Sequence, residues 1–269
     1  MNAKITFIGA GNMASSLAGG LIAKGFDSNQ ITMTDLNDDL LLHNRNNLGV
    51  NTTRDNVQAC SHADVIIFAV KPQVVEIVAA PLKDVIALRS PLVLSIAAGI
   101  TLSNLSSWIG EAVPIVRCMP NTPALVQTGA TGLFANQYVS DTQKKLAKDV
   151  LSAVGLALWV DSEDQIDAVT ALSGSGPAYF LLVMEAMMEA GHALGLPDSV
   201  SSQLTLQTAL GSAQLAITSD VDVAELRRQV TSPAGTTERA INIMQDNGLK
   251  AIFAEAIKGA YDRSKELAS

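Results

Sequence analysis

The first 35 residues constrain the fold more than any other stretch of the chain. The apolar run 5–8 leads into a turn with glycines at Gly9 and Gly11, and a segment with apolar residues at helical spacing follows. The glycines allow a tight turn, and the small Ala14 lets the helix pack closely on the strand. Asp35 follows about 20 residues later, where such folds place a ribose contact. The stretch predicts a strand, a turn and a helix whose N-terminus binds a dinucleotide, and the alternative is a purely structural glycine turn.

Strand and helix patterns then alternate as far as residue 162. Such alternation is typical of βαβ units in a parallel sheet with helices on its faces. We therefore predict a dinucleotide-binding Rossmann-type domain at 1–162. After the first strand, its predicted strands lie at 31–34, near 53, and at 65–70, 92–96, 115–119, 130–134 and 156–160.

The pattern changes after residue 162, where no convincing strand remains. We predict an all-α domain at 163–269. Its segment 177–193 is apolar nearly all round, which predicts a helix enclosed on every side, in a core or a subunit interface. The other predicted helices are 197–218, 223–229, 237–246 and 249–267.

Composition narrows the range of partners. The 269 residues carry a net charge of −8 with 48% hydrophobic and 16% charged residues, and no basic patch is present, which argues against nucleic-acid binding. No apolar span of 18 residues is apparent, so we expect no membrane partner. The apolar surplus favours a homo-oligomer. Because the first strand begins near Lys4, no leader is expected and the predicted location is cytoplasmic.

Cysteine and histidine give little support for metal or nucleophile chemistry. Cys60 and Cys118 lie far apart in sequence, outside any ligand motif. Glu185, Glu189 and His192 share a helix face, but polar groups in such a helix usually pair with one another. We expect no metal site and no histidine base.

Three further stretches combine glycine or proline with a strand end or a helix start. The segment 69–72 ends a predicted strand at the edge of the sheet where open α/β folds bind ligands. The segment 172–178 opens the apolar helix. The segment 231–237 precedes another helix, so the N–H groups of Gly235, Thr236 and Thr237 could bind a carboxylate, although an ordinary helix cap is the alternative.

Together these stretches resemble the pyrroline-5-carboxylate reductases over nearly the whole chain. The resemblance implies a Rossmann domain followed by a helical dimerisation domain, a homodimer and, often, a ring of dimers. It also implies hydride transfer from NADPH or NADH to 1-pyrroline-5-carboxylate, giving L-proline, with substrate between one subunit's nicotinamide and the 231–237 loop of its partner. The motifs that carry the resemblance are 7–13, 69–73, 117–123, 167–179 and 230–237.

The same resemblance assigns residues to the site. It implies cofactor contacts at Ile8, Gly9, Ala10, Gly11, Asn12, Met13, Asp35, Asn56, Ala69, Val70, Lys71, Pro72, Ile96, Ala97 and Ala98. It implies substrate contacts at Glu163, Ser232, Gly235, Thr236 and Thr237. Thr237 is the expected hydrogen-bonding group near the imine nitrogen, and Thr170 is the second candidate catalytic residue.

Two positions depart from the family pattern. Ala234 stands where a glycine is usual, so the turn must tolerate a Cβ atom or change its backbone angle. Gln229 stands in place of an asparagine that faces the cofactor. The choice of cofactor also stays open: Asp35, with no arginine in 36–38, favours NADH, whereas the resemblance favours NADPH with acceptance of both.

Two other functions are compatible with a dinucleotide-binding domain followed by helices. The β-hydroxyacid dehydrogenases resemble one another in a catalytic lysine on the helix after the glycine turn, but no lysine lies between Lys148 and Lys250 here. A non-catalytic NAD(P)-sensing protein would have no need of an anion site at 235–237.

Overall fold

The computed structural model describes residues 3–268, and the chain divides into two compact units. The first comprises the residues up to Ser175 together with those from Ala260 onward, and the second is Gly176–Gly259. The predicted functional boundary between 162 and 163 stays a prediction, because compactness alone does not define function.

The first unit contains one sheet of eight strands, and the predicted Rossmann-type fold is confirmed. Its order, β3-β2-β1-β4-β5-β6-β7-β8, reverses at β1, which lies between β2 and β4. Ligands of such sheets bind where the order reverses. The strands are β1 (Ile5–Ile8), β2 (Ile31–Thr34), β3 (Asn51–Thr53), β4 (Val65–Phe68), β5 (Leu92–Ser95), β6 (Ile115–Met119), β7 (Gly129–Ala135) and β8 (Gly155–Trp159).

Helices cover both faces of the sheet. Successive side chains of β1 point to opposite faces, so that Phe7 enters one apolar core and Ile8 the other. Leu17 and Val150 lie in the first core, and Val75 and Leu105 lie in the second. The α-helices of this unit are α1 (Asn12–Ala23), α2 (Asp38–Leu48), α3 (Asn56–Cys60), α4 (Pro72–Ala79), α5 (Lys83–Arg89), α6 (Leu102–Ile109), α7 (Asp141–Leu151) and α8 (Asp164–Val169).

The sheet is parallel, as predicted, except at one pair. β6 and β7 run antiparallel, with Arg117 opposite Phe134. Only residues 120–128 join them, including the 3₁₀ turn Thr122–Val126. A parallel connection needs a crossover of a dozen residues or more, which this segment is too short to provide.

The second unit is helical, and the prediction of an all-α segment is confirmed. A π-helical turn, Thr170–Gly174, precedes it. Within this unit Ser201 Oγ donates a hydrogen bond of 2.8 Å to the carbonyl oxygen of Met188, which joins its first two helices. The helices after the π turn are α9 (Gly176–Ala193), α10 (Asp198–Thr218), α11 (Val223–Gln229), α12 (Thr236–Asp246) and α13 (Leu249–Ala268), the last of which ends in the first unit.

Helix α9 is not enclosed within the single chain, so of the two predicted locations the core is excluded and the subunit interface stays a prediction. Phe180 is 70% exposed and Leu182 is 65% exposed. By length and composition alone, the helical run Asp164–Ala193 could span a membrane. The expectation from sequence that no such span exists did not allow for the few charged residues that an apolar span can contain. Exposed apolar side chains on one helix are typical of a surface that a partner covers.

Candidate active site

Four parallel strands bring most of the predicted cofactor contacts to one edge of the sheet. The loops that follow β1, β2, β4 and β5 leave from the carboxyl ends of those strands. Backbone hydrogen bonds tie them together: Gly9 N–H donates to Thr34 O over 2.8 Å, Ala69 N–H to Ile8 O over 2.8 Å, and Ile96 N–H to Phe68 O over 3.1 Å. The loops therefore form one preorganised edge.

The two glycines of the first loop serve different needs. Gly9 has φ +106°, and a Cβ atom there would lie 2.6 Å from the carbonyl oxygen of Ala69, so the fold itself demands glycine. Gly11 has an ordinary φ of −74°, and a Cβ atom there would meet no protein atom within 4 Å. Neither strain nor packing inside the described chain requires glycine at position 11. The empty space beside it is where the pyrophosphate of a dinucleotide would approach the protein backbone.

The start of helix α1 has the features of an anion site. No side chain caps the helix. Among the described residues, the N–H groups of Asn12 and Met13 have no acceptor. These groups and the positive end of the helix dipole can bind a pyrophosphate, so the residues present fit a dinucleotide.

Asp35 connects the glycine loop to helix α2. Its Oδ2 accepts a hydrogen bond of 3.0 Å from Ala10 N–H, and its Oδ1 accepts one of 2.9 Å from Asn37 N–H. Buried Asn44 holds the same loop, since its Nδ2 donates to Ala10 O over 3.0 Å. Sequence reasoning missed Asn44, and its signal is a polar residue three positions after Leu41 on the buried side of α2.

The remaining predicted cofactor contacts lie on the same edge. Asn56 is the first residue of α3, after β3. Lys71 immediately precedes α4, whose first residue is Pro72, and its side chain is exposed. Ile96, Ala97 and Ala98 follow β5 directly. Their contacts with a cofactor stay predictions.

Glu163, the predicted substrate contact of this unit, is anchored by a buried arginine. Its Oε1 accepts hydrogen bonds from Leu102 N–H over 2.8 Å and from Arg117 Nη1 over 3.1 Å. Arg117 is 2% exposed and also lies 3.6 Å from Asp167, whose Oδ1 accepts a 2.7 Å hydrogen bond from Ser264 Oγ. The network fixes Glu163 at the start of α6. Sequence reasoning gave Arg117 no role, although a cation inside an apolar strand is a recognisable signal.

Thr170 is half-buried and lies at the first position of the π turn. Its Oγ1 donates a hydrogen bond of 2.8 Å to Ile166 O. The hydroxyl proton is therefore engaged, and the oxygen can accept a further hydrogen bond. A role for Thr170 as a proton donor would first require this bond to break.

The loop 231–237 belongs to the second unit and carries the predicted carboxylate site. No side chain caps α12, and in the described part of the chain the N–H groups of Thr236 and Thr237 have no acceptor. Gly235 N–H, however, donates to Ser232 O over 3.0 Å. The turn itself therefore uses this donor, and binding of an anion by Gly235 N–H stays a prediction that would require this bond to break.

Ala234 keeps the left-handed conformation that a glycine would adopt. Its φ is +57°, and its N–H donates to Glu238 Oε2 over 2.8 Å. The exposed Cβ is thus tolerated, and the turn does not change its backbone angle to avoid it. A left-handed alanine costs about 1 kcal/mol or more relative to glycine.

The two cysteines are buried, and His192 is paired with a carboxylate. Burial raises the pKa of the Cys60 thiol to about 12 and also raises the pKa of Cys118, so both stay protonated and unreactive near neutral pH. His192 pairs with Asp198, with Nδ1 and Oδ1 2.6 Å apart. Residues 3–268 contain no cluster of three or more potential ligands arranged to hold a metal ion.

Comparisons with known proteins cover the whole chain. The family model described as pyrroline-5-carboxylate reductase dimerisation matches residues 163–267, and the model described as NADP oxidoreductase, coenzyme F420-dependent, matches residues 4–99. The pyrroline-5-carboxylate reductase of Pseudomonas aeruginosa is 51% identical over 265 residues, covering 98% of this chain and 97% of that protein.

Solved structures give the same result. The pyrroline-5-carboxylate reductase of Coxiella burnetii superposes with a TM-score of 0.97 at 47% identity, covering 100% of both chains. The pyrroline carboxylate reductase of Plasmodium falciparum, solved with NADP bound, superposes with a TM-score of 0.88 at 31% identity, covering 100% of this chain and 99% of that one.

Proposed function

Because the chain belongs to the pyrroline-5-carboxylate reductase family, we propose that it transfers a hydride from NAD(P)H to the C=N carbon of 1-pyrroline-5-carboxylate and so makes L-proline. The observation that carries the proposal is that the two helices that begin at the predicted cofactor and carboxylate loops, α1 and α12, both lack a side-chain cap. One, at α1, opens onto the space left by Gly11, and the other, at α12, offers the N–H groups of Thr236 and Thr237. The first suits a pyrophosphate and the second a carboxylate.

At the cofactor end, the residues of the chain bind and orient the dinucleotide. The N–H groups at 11–13 bind the pyrophosphate, and Asp35 and Asn56 contact the adenosine half. The loops 69–72 and 96–98 line the remainder of the cofactor. When bound, NAD(P)H supplies the hydride, and the protein contributes positioning.

At the substrate end, the N–H groups of Thr236 and Thr237 bind the carboxylate, and Thr237 Oγ1 hydrogen-bonds near the imine nitrogen. Ser232 and Gly235 shape the turn. This loop meets the substrate of the partner subunit, in which Glu163 and Thr170 complete the contacts. An imine nitrogen is basic enough to enter protonated, so no strong protein acid is needed. Orientation of bound reactants can lower a barrier by up to about 7–11 kcal/mol, which makes positioning a sufficient role.

The helical domain 163–269 serves dimerisation as well as substrate binding. The family model that matches 163–267 and the exposed apolar side chains of α9 support a homodimer. We extend this proposal to a higher assembly, a ring of dimers, and to a cytoplasmic enzyme. A second subunit that covers α9 also accounts for the apolar run Asp164–Ala193 without a membrane.

The proposal is tested by following oxidation of NADPH and of NADH in the presence of 1-pyrroline-5-carboxylate. We expect turnover, and Thr237→Ala should lower kcat/KM about 10- to 100-fold, because a hydrogen bond to a charged group is lost. Thr218→Ala, at the exposed end of α10, is the matched control and should keep wild-type kinetics. Absence of turnover with either cofactor would overturn the function, and wild-type kinetics in Thr237→Ala would overturn only the role of Thr237.

A further inference from the structure

The pairing of β2 with β3 brings an arginine to the cofactor edge beside Asp35. The two strands are parallel, with Thr34 opposite Thr53. The next residue along each strand, Asp35 and Arg54, therefore leaves the sheet side by side at the same edge. The sequence does not reveal this proximity, because the two residues lie on different strands and no arginine follows Asp35 directly.

The Arg54 side chain lies over the loop that follows β2. Its Nη2 donates a hydrogen bond of 2.6 Å to Leu36 O, and its Nε lies 3.1 Å from Asp38 Oδ1. The guanidinium is thus held where the adenosine ribose of a dinucleotide binds, next to the residue after β2. Asn56, the other predicted contact with this half of the cofactor, follows two residues later.

The charge of Asp35 is less of an obstacle to a phosphate than the sequence suggests. An acidic residue at this position favours a free 2′-hydroxyl when its carboxylate faces the ribose. Here each of its oxygens already accepts a backbone hydrogen bond, from Ala10 and from Asn37. The carboxylate therefore supports the loop, and these two N–H dipoles offset part of its negative charge next to a 2′-phosphate.

The Arg54–Asp38 ion pair can be exchanged for a stronger one. Its side chains are 61% and 75% exposed, and ion pairs of such exposure contribute little. A phosphate accepts from the planar guanidinium through two parallel hydrogen bonds and carries more charge than a carboxylate. Arg54 can therefore turn from Asp38 to a phosphate without leaving a buried charge unpaired.

From these contacts we infer that Arg54 is a specificity-determining residue that binds the 2′-phosphate of NADPH. The inference rests on the proposed function, because it assumes the dinucleotide site described above. The inference assigns the choice between NADPH and NADH to Arg54, the residue that follows β3, and it predicts that the protein prefers NADPH.

The test compares ligands that differ only in the 2′-phosphate. Dissociation constants for NADPH and NADH, and for the fragments 2′,5′-ADP and 5′-AMP, are measured by calorimetry on the wild-type protein, Arg54→Gln and Arg45→Gln. Arg45 is the matched control, because it lies nearby on α2 but is hydrogen-bonded to Thr52. The fragments lack nicotinamide, so their binding is independent of turnover.

We expect Arg54→Gln to raise the dissociation constants of NADPH and 2′,5′-ADP about 10- to 100-fold and to leave those of NADH and 5′-AMP near wild type. Arg45→Gln should change neither pair. An equal loss for both pairs, or wild-type protein that binds 2′,5′-ADP no tighter than 5′-AMP, would overturn the inference. If the melting temperature of Arg54→Gln lies well below that of the wild type, Arg54→Lys is used in its place. The lysine variant must still bind 2′,5′-ADP more tightly than 5′-AMP, with a smaller difference than in the wild type. Failure of both dinucleotides to bind the wild-type protein would instead contradict the proposed function.

Discussion

A Cβ atom on Gly9 would lie 2.6 Å from the carbonyl oxygen of Ala69. These two residues follow β1 and β4, the neighbouring strands between which the order of the sheet reverses. Their close approach joins the glycine loop to the loop 69–72. The cofactor edge is therefore fixed by backbone packing before any ligand arrives.

Gly9→Ala should destabilise the protein and abolish tight cofactor binding. Its φ of +106° strains any residue with a Cβ atom, and the contact with Ala69 adds a clash, so a loss of about 1–3 kcal/mol or more in the free energy of unfolding is expected. Gly25→Ala is the control, because Gly25 has φ +87° but open space around its Cβ position. Urea unfolding should show the larger loss for Gly9→Ala, and equal losses would contradict the role of the Ala69 contact.

Gly11→Ala should separate binding from stability. The φ of −74° and the open space predict a melting temperature near that of the wild type. A methyl group in the space proposed for the pyrophosphate should nevertheless raise the dissociation constant of NADPH by about tenfold or more, equivalent to ~1.4 kcal/mol. Calorimetric titration measures this effect, and unchanged affinity would refute the placement of the pyrophosphate at Gly11.

Ala234→Gly should stabilise the protein by about 0.5–1 kcal/mol. Glycine removes the strain of a φ of +57°, and its greater freedom in the unfolded chain offsets part of that gain. Ala240→Gly, within α12, should instead destabilise by about 1 kcal/mol, because it places glycine in a helix interior. Thermal unfolding of both variants checks the opposite signs, and destabilisation by Ala234→Gly would be incompatible with strain at this position.

Leu182→Asp should convert the oligomer to monomers. Leu182 is 65% exposed on α9, where the proposed partner subunit would bury it, and a charge there would lack a partner. Leu88→Asp on α5 is the matched control, since Leu88 is 85% exposed outside the proposed interface. Light scattering gives the masses, and an unchanged mass for Leu182→Asp would exclude α9 from the interface.

The local elements could be predicted from the sequence because their signals are local. The spacing of apolar residues predicts the strands of the first unit and the helices of the second. The glycines at Gly9 and Gly11 predict the turn between the first strand and helix. The antiparallel pairing of β6 with β7 could not be predicted from alternation alone. It depends on the length of the connection at 120–128, and a strand pattern carries no direction.

Contacts between distant segments account for most of what the sequence did not reveal. Arg54 reaches the cofactor edge only through the pairing of β2 with β3. Arg117 gains its role from Glu163, which lies 46 residues away in sequence. The hydrogen bond that occupies Gly235 N–H depends on the exact turn geometry, which a motif does not specify.

The most direct measurement follows the hydride itself. NADPH carrying deuterium at C4 of the nicotinamide, prepared separately with the label on each face, is incubated with the protein and 1-pyrroline-5-carboxylate, and the product is examined by mass spectrometry and NMR. The account predicts L-proline with one deuterium at C5 from one of the two labelled cofactors. Formation of no proline, or of proline that is unlabelled with both cofactors, would contradict it.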